Sequence, residues 1–423
     1  MPQLPPSLAR SISASPMRKT PVVIAFVTVL TVLLAAGLIG YGLWLGQHPS
    51  RAPGIFLLAL LAAAALALPG LRFLWWLDRN EREAPLIFFG IFLFGVVVSV
   101  GLALLIAGPA GNGLLQGLGL MPADARSFDP LSQSTLPLEQ IGRAEIVKLS
   151  FSRAIVPPLF EEGVKLLALL LLIIFLRAEF DSVRDGIIYG ALVGLGFMVA
   201  ETAYYVTDGF LRTGTLAFGQ QLAARFYFLG LNGHTLFGAL MGAGFGLARQ
   251  TSARWMKIFA PVAFVILAIA AHLVQNTLTI SVAGLISTFL GFENTPLAQM
   301  PSVALWLCMA TGTLFTLGLF YAAVLELLQE GGRWEQAVIR AELAEEVGTA
   351  VTPEEYGLIE AGWGWGTRVI PNFPDAAGHR IANAQNELAL RKWRVRHEGG
   401  DPAADPIVIA WRQDIASFRR KAP

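Results

Sequence analysis

Charge is scarce in this chain: 14% of its 423 residues are Asp, Glu, Lys or Arg, while 55% are hydrophobic. A soluble protein of this length carries about 25% charged residues. The deficit, with a mean hydropathy of +0.59, excludes a string of soluble domains and leaves a polytopic membrane protein. Cysteine is nearly missing as well, since Cys308 stands alone inside an apolar run. That excludes an intrachain disulfide and a cysteine-based metal cluster, and leaves Cys308 as a small buried apolar residue. The formal net charge is only +1 and no nucleic-acid motif is present, so the partners are the lipid bilayer and its proteins rather than nucleic acid.

What the chain has in abundance is long apolar runs. A span needs roughly 20 apolar residues, and eight stretches qualify: Pro21 to Leu45, Gly54 to Leu77, Pro85 to Ala107, Ile155 to Leu176, Asp185 to Val206, Leu222 to Leu247, Met256 to Leu278, and Ser302 to Leu325. Pro69-Gly70 interrupts the second. The expected fold is therefore all-α, a bundle of about eight transmembrane helices over residues 21–328. Residues 1–20 are polar and basic, and the run after them is too long for a signal-peptide core, so it is read as a retained first span. Arg10, Arg18 and Lys19, then Arg72, Arg79 and Arg82, then Arg177 and Arg184, then Arg249, Arg254 and Lys257 occupy alternate loops. By the positive-inside rule both termini are cytoplasmic, as expected of a plasma-membrane protein of bacterial type. In the outer loop before span four, Leu138 to Ser150 has helical spacing and reads as an amphipathic connector. Gln329-Glu330-Gly331-Gly332-Arg333 opens a polar region, 329–423, read as a small cytoplasmic helical module. Thr352-Pro353-Glu354-Glu355 is a cap within it, and the basic stretches Ala382 to His397 and Ile407 to Lys421 suit an anionic inner leaflet.

Ionisable residues deep in a span cost about 2.5 to 3.5 kcal/mol each on insertion scales, so their retention points to function. They are concentrated on four consecutive spans: Glu161, Glu162 and Lys165 on the fourth, Glu201 on the fifth, His234 on the sixth and His272 on the seventh. Counted along helices of alternating direction, all fall in the outer half of the membrane and near one level. Glu162 and Lys165, three apart, share a face, whereas Glu161 points about 100° away into the bundle. Phe197 shares a stripe with Glu201, and Asn276 with His272, where it is placed to hold the ring or a substrate carbonyl. Glycines crowd spans five and six, allowing close helix packing. Such a group suits water activation by either of two routes. Glu and His can hold a divalent metal whose bound water becomes the nucleophile, or a Glu can activate water directly, with His and Asn stabilising the oxyanion. No His-Glu-x-x-His helix is present. A proton- or ion-coupled transporter would also use intramembrane Glu, Lys and His, although no internal repeat supports it. A catalytically inactive scaffold that binds membrane proteins is the third reading.

The ordered motifs Glu161-Glu162-x-x-Lys165, Phe197-x-x-x-Glu201, Gly233-His234 and His272-x-x-x-Asn276 resemble those of the PrsW family of intramembrane proteases, itself distantly similar to the CAAX-processing endoproteases. The acidic stretch from Asp78 to Pro85 is similar too, and the resemblance covers roughly Leu77 to Leu278, about 77–278 as a catalytic core. It implies proteolysis of membrane-embedded substrates such as anti-sigma factors. Glu161, Glu162, Lys165, Glu201, His234, His272 and Asn276 would be catalytic, and Glu162, Glu201, His234 and His272 would hold a divalent metal, zinc first among the candidates.

Overall fold

The computed structural model describes residues 15–80, 85–117, 143–214, 218–292, 295, 300–362, 370 and 372–421, and every regular element among them is helical. Residues 81–84, in the acidic stretch, and most of the long loop before the fourth span, 118–142, lie outside the described residues. Helices α1 (Thr20–Gly46) and α2 (Ala52–Leu77) come first. They are followed by α3 (Pro85–Phe94) and α4 (Val100–Gly117), which a widened turn at Gly95–Ser99 joins into one rod. Then come α5 (Arg143–Phe175), α6 (Val183–Thr213), the short α7 (Phe218–Arg225), α8 (His234–Gln250), α9 (Met256–Val274), α10 (Ile280–Phe289) and the long α11 (Ser302–Ala344). Beyond them α12 (Pro353–Ala361), α13 (Asp375–His397) and α14 (Pro406–Lys421) make a second, smaller core.

Six helical stretches among the described residues are long and apolar enough to cross a membrane. Their outward faces carry large bare side chains, Phe289, Phe315 and Leu319 among them, which only lipid can cover. This is a multi-pass membrane bundle. At its centre stands α6, whose whole apolar window is buried between α8, α2 and α3. The Ser182 side chain and Asp185 cap its start reciprocally, so the helix begins cleanly at its polar end.

Glycine decides how closely α6 and α8 meet. Gly186, Gly190 and Gly194 lie on one stripe of α6 and face Gly242, Gly238 and the His234 backbone of α8, where any added Cβ would collide with a facing carbonyl oxygen. The two backbones therefore touch directly, which brings the start of α8 against the helix that carries Glu201.

The structure refines the sequence reading at these points. The sixth apolar run, Leu222 to Leu247, is not one helix: it breaks after Arg225, and α8 starts only at His234. Phe228, Leu229, Gly230 and Gly233 all have positive φ, a conformation that no helix propagates. Gly70, the supposed weak point of α2, is what lets the carbonyl of Leu229 in this loop press onto that helix, and α2 runs through Pro69 unbroken. Of the amphipathic connector Leu138 to Ser150, residues 138–142 lie outside the described residues, and from Arg143 the backbone is helical and continues into the fourth span. The polar region that opens at Gln329 is not set off by a break in the backbone. Helix α11 passes from the bundle into the C-terminal module as one rod, and Glu335 on it is paired with Arg184 at the base of α6 at 2.7 Å.

Candidate active site

The four helices that carry intramembrane ionisable groups meet at one level. Taking the ends near the C-terminal module as origin, Glu161 lies fourteen residues before Phe175, Glu201 eighteen after Val183, His234 sixteen before Gln250 and His272 sixteen after Met256. At 1.5 Å per residue these are about 21, 27, 24 and 24 Å, so the cluster sits in the half of the bundle away from that module.

Glu161, Glu162, Lys165, Glu201, His234 and His272 are all buried and form a single network. The Lys165 ammonium donates to Glu162 Oε1 at 2.5 Å and to His234 Nδ1 at 2.8 Å, and it also lies over the Phe197 ring, 4.6 Å from its centroid. With Nδ1 accepting, the ring hydrogen of His234 belongs on Nε2, where it meets Glu201 Oε2 at 3.0 Å and which it must leave before that nitrogen can ligate a cation. His272 is held the other way round. Its Nδ1 donates to Glu162 Oε1 at 2.8 Å, leaving Nε2 with a free lone pair, and its ring stacks on Phe237 at 4.8 Å between centroids.

Glu161 occupies the space between the two imidazoles. Its Oε2 lies 3.8 Å from His234 Nε2 and 3.9 Å from His272 Nε2, is buried, and has no hydrogen-bond partner. A buried carboxylate oxygen without a donor is costly unless something else satisfies it. One ligand atom each from Glu161, His234 and His272 lie within 4.8 Å of one another. An oxygen and two imidazole nitrogens, one backed by a carboxylate on its far nitrogen, are a donor set that suits a divalent cation.

The metal set read from the sequence, Glu162, Glu201, His234 and His272, therefore differs from the atoms that converge. Glu162 is turned toward Lys165 and the outer nitrogen of His272, and the 100° step between neighbours sends Glu161 to the shared space instead. Asn276 is also placed differently. A widened turn at Gln275–Thr279 alters the helix register just after His272, and Asn276, half-buried, makes no hydrogen bond to the cluster. The sequence reading overlooked two residues. Phe237, three after His234 and so on its face, stacks against His272. Arg225, at the end of α7, puts Nε 3.9 Å from Glu201 Oε2 and its guanidinium 4.0 Å over the Tyr205 ring. Its position just before the Gly-rich break was the available signal.

A family model described as PrsW family intramembrane metalloprotease matches residues 83–307. No curated protein and no solved structure matches. The matched segment is more than half of the chain and contains the complete cluster. The arrangement of buried carboxylates and imidazoles is thus found where the family match lies, and the chain belongs to the PrsW family of intramembrane metalloproteases.

Proposed function

We propose that this protein hydrolyses peptide bonds of membrane-embedded protein substrates, anti-sigma-factor-like segments being one candidate class, in the outer half of the plasma membrane. The observation that carries the reading is the unpartnered Glu161 Oε2 facing His234 Nε2 and His272 Nε2 in a buried site. Glu161, His234 and His272 would hold a divalent cation, with zinc the first expectation from this donor set. Such a cation lowers the pKa of bound water toward neutrality and polarises a scissile carbonyl.

The protein's own groups divide the remaining work. Glu201, beside the cation site and backed by the Arg225 charge, is placed to take a proton from the attacking water and return it to the leaving amine. Glu162 fixes the His272 ring by accepting from Nδ1. Lys165 offsets the Glu162 charge and holds the His234 ring from its other side. Phe197 and Phe237 pack against both imidazoles and keep bulk water from them. The basic loops on the side of the C-terminal module support cytoplasmic termini, which sets the cluster nearer the outer face.

The test compares wild-type protein with Glu161→Gln and His234→Ala, purified in detergent, for bound metal by elemental analysis and for cleavage of a panel of single-span membrane peptides. About one equivalent of metal and measurable cleavage in wild type, both lost in the variants, is the expected result. Cleavage by Glu161→Gln at the wild-type rate would sink the reading.

A further inference from the structure

Where the bundle meets the C-terminal module there is a cavity of about 600 Å³. Four cations line it from four different segments: Arg177 after α5, Arg249 at the end of α8, Lys257 at the start of α9, and Arg394 on α13. Glu398 is the one acidic residue in the lining. Asp181 nearby accounts for part of the positive charge, pairing with Arg394 and, at 3.5 Å, with Arg249. Arg177 and Lys257 are exposed and have no carboxylate partner among the described residues. Arg394 is buried, yet its Nε has no acceptor. Burial, then the Arg394 and Lys257 charges, hold the His397 imidazole in the same cavity below its ordinary pKa, the response of a basic group in a positive field.

The other wall is apolar. Phe245, Ala248 and Pro261 face the cavity from the ends of α8 and α9, which are the ends of membrane helices. Trp255, Ile258 and Phe259 lie exposed beside it, as interfacial anchors do. An excess of cations above an apolar wall, at the end of a bundle that carries its basic loops, is the chemistry of an anionic headgroup site.

We infer that this cavity binds a phosphate-bearing anion, with Arg177 and Lys257 on the phosphate, the Arg394 charge beside it and the apolar wall against an acyl-glycerol portion. A lipid headgroup and free phosphate share this chemistry, and the apolar wall favours the lipid. Because Arg394 and His397 belong to the C-terminal module and the other cations to the bundle, the bound anion ties the two together.

The experiment uses full-length protein in detergent micelles and measures dissociation constants, by native mass spectrometry, for dioctanoyl phosphatidylglycerol, dioctanoyl phosphatidylcholine and inorganic phosphate. Wild type is compared with the double variant Arg177→Gln, Lys257→Gln, whose altered side chains are exposed and have no carboxylate partner among the described residues, so that folding is kept. The expected result is a preference for the anionic over the zwitterionic lipid, weakened about tenfold or more in the double variant, a tenfold change being about 1.4 kcal/mol. Competition by millimolar phosphate would assign the site to free phosphate as well as to headgroups; no competition would assign it to lipid. Equal affinity for the two lipids in wild type, or an unchanged constant in the double variant, would overturn the inference.

Discussion

Glu162 and His272 are joined across two helices, 110 positions apart in sequence, by one hydrogen bond of 2.8 Å from the imidazole Nδ1 to the carboxylate Oε1. The bond aims the other nitrogen of His272 at Glu161, and under the proposed reading Glu162 would orient a ligand rather than be one. Loss of such an orienting carboxylate usually costs about 10 to 100-fold in metal affinity. Glu162→Gln is therefore expected to bind metal about 10 to 100-fold more weakly but detectably, while Glu161→Gln retains none. Competition of the apo proteins against a chromogenic chelator reads both constants, and the reverse order would make Glu162 the ligand.

Lys165 puts a cation at the centre of this network, and it serves two partners at once. Its removal leaves the fully buried Glu162 carboxylate without its charge partner, a loss of about 3 to 5 kcal/mol when one member of a buried pair is deleted. Lys165→Met should lower the thermal unfolding midpoint in detergent by several degrees. Adding Glu162→Gln to that variant should restore part of the loss, because the stranded charge is then gone. If Lys165→Met melts with wild type, the pairing contributes nothing to stability.

The C-terminal module has its own buried ion pairs. Burial alone would raise the Glu346 carboxyl, but hydrogen bonds from Arg412 and Lys392 outweigh it and hold the group at about 2, below an ordinary value of 4.5. A carboxylate depressed in the folded state gives stability that is complete above its unfolded pKa and is lost as pH falls through the folded one. This contribution should be intact above about pH 5 and disappear between about pH 4.5 and 2. Thermal midpoints across that window are expected to fall less steeply in Glu346→Gln than in wild type, and parallel curves would contradict the assignment.

Much of this was legible in the sequence because membranes penalise polar groups so heavily. Glu161, Glu162, Lys165, Glu201, His234 and His272 stood out against apolar runs, and spacing alone paired Glu162 with Lys165. What stayed hidden depends on backbone conformation that hydropathy does not register. Phe228 and Leu229 read as span residues, and nothing in their side chains announces positive φ. The widened turn at Gln275–Thr279 carries Asn276 away from the place that a regular helix predicts. Gly331-Gly332 marks the start of the polar region, yet the helix continues through it because its far side is packed at Val183 and Arg184 and pinned by the Arg184–Glu335 pair. In each case a tertiary contact or a local strain outweighed residue type.

Gly194 connects fold to chemistry most directly. A Cβ there would collide with the carbonyl oxygen of His234 and crowd the Cα of Thr235, so Gly194→Ala must push the start of α8 away from α6. Neither helix can give by rotating a side chain, since the contact is backbone on backbone. The displaced element carries His234, whose Nε2 faces both Glu161 and Glu201. A shift of about 1 Å in a catalytic group can cost about 100-fold in rate, so a loss of that order is expected in a protein that still inserts and folds. Gly90→Ala on α3 is the control, because nothing lies within 4 Å of its would-be Cβ. There the substitution should leave the rate unchanged and, by narrowing the unfolded ensemble, leave stability equal or slightly higher. Equal rates for Gly194→Ala and wild type would show that the α6–α8 approach does not set the site geometry; a loss confined to Gly194→Ala, with a normal melting profile, would show that it does.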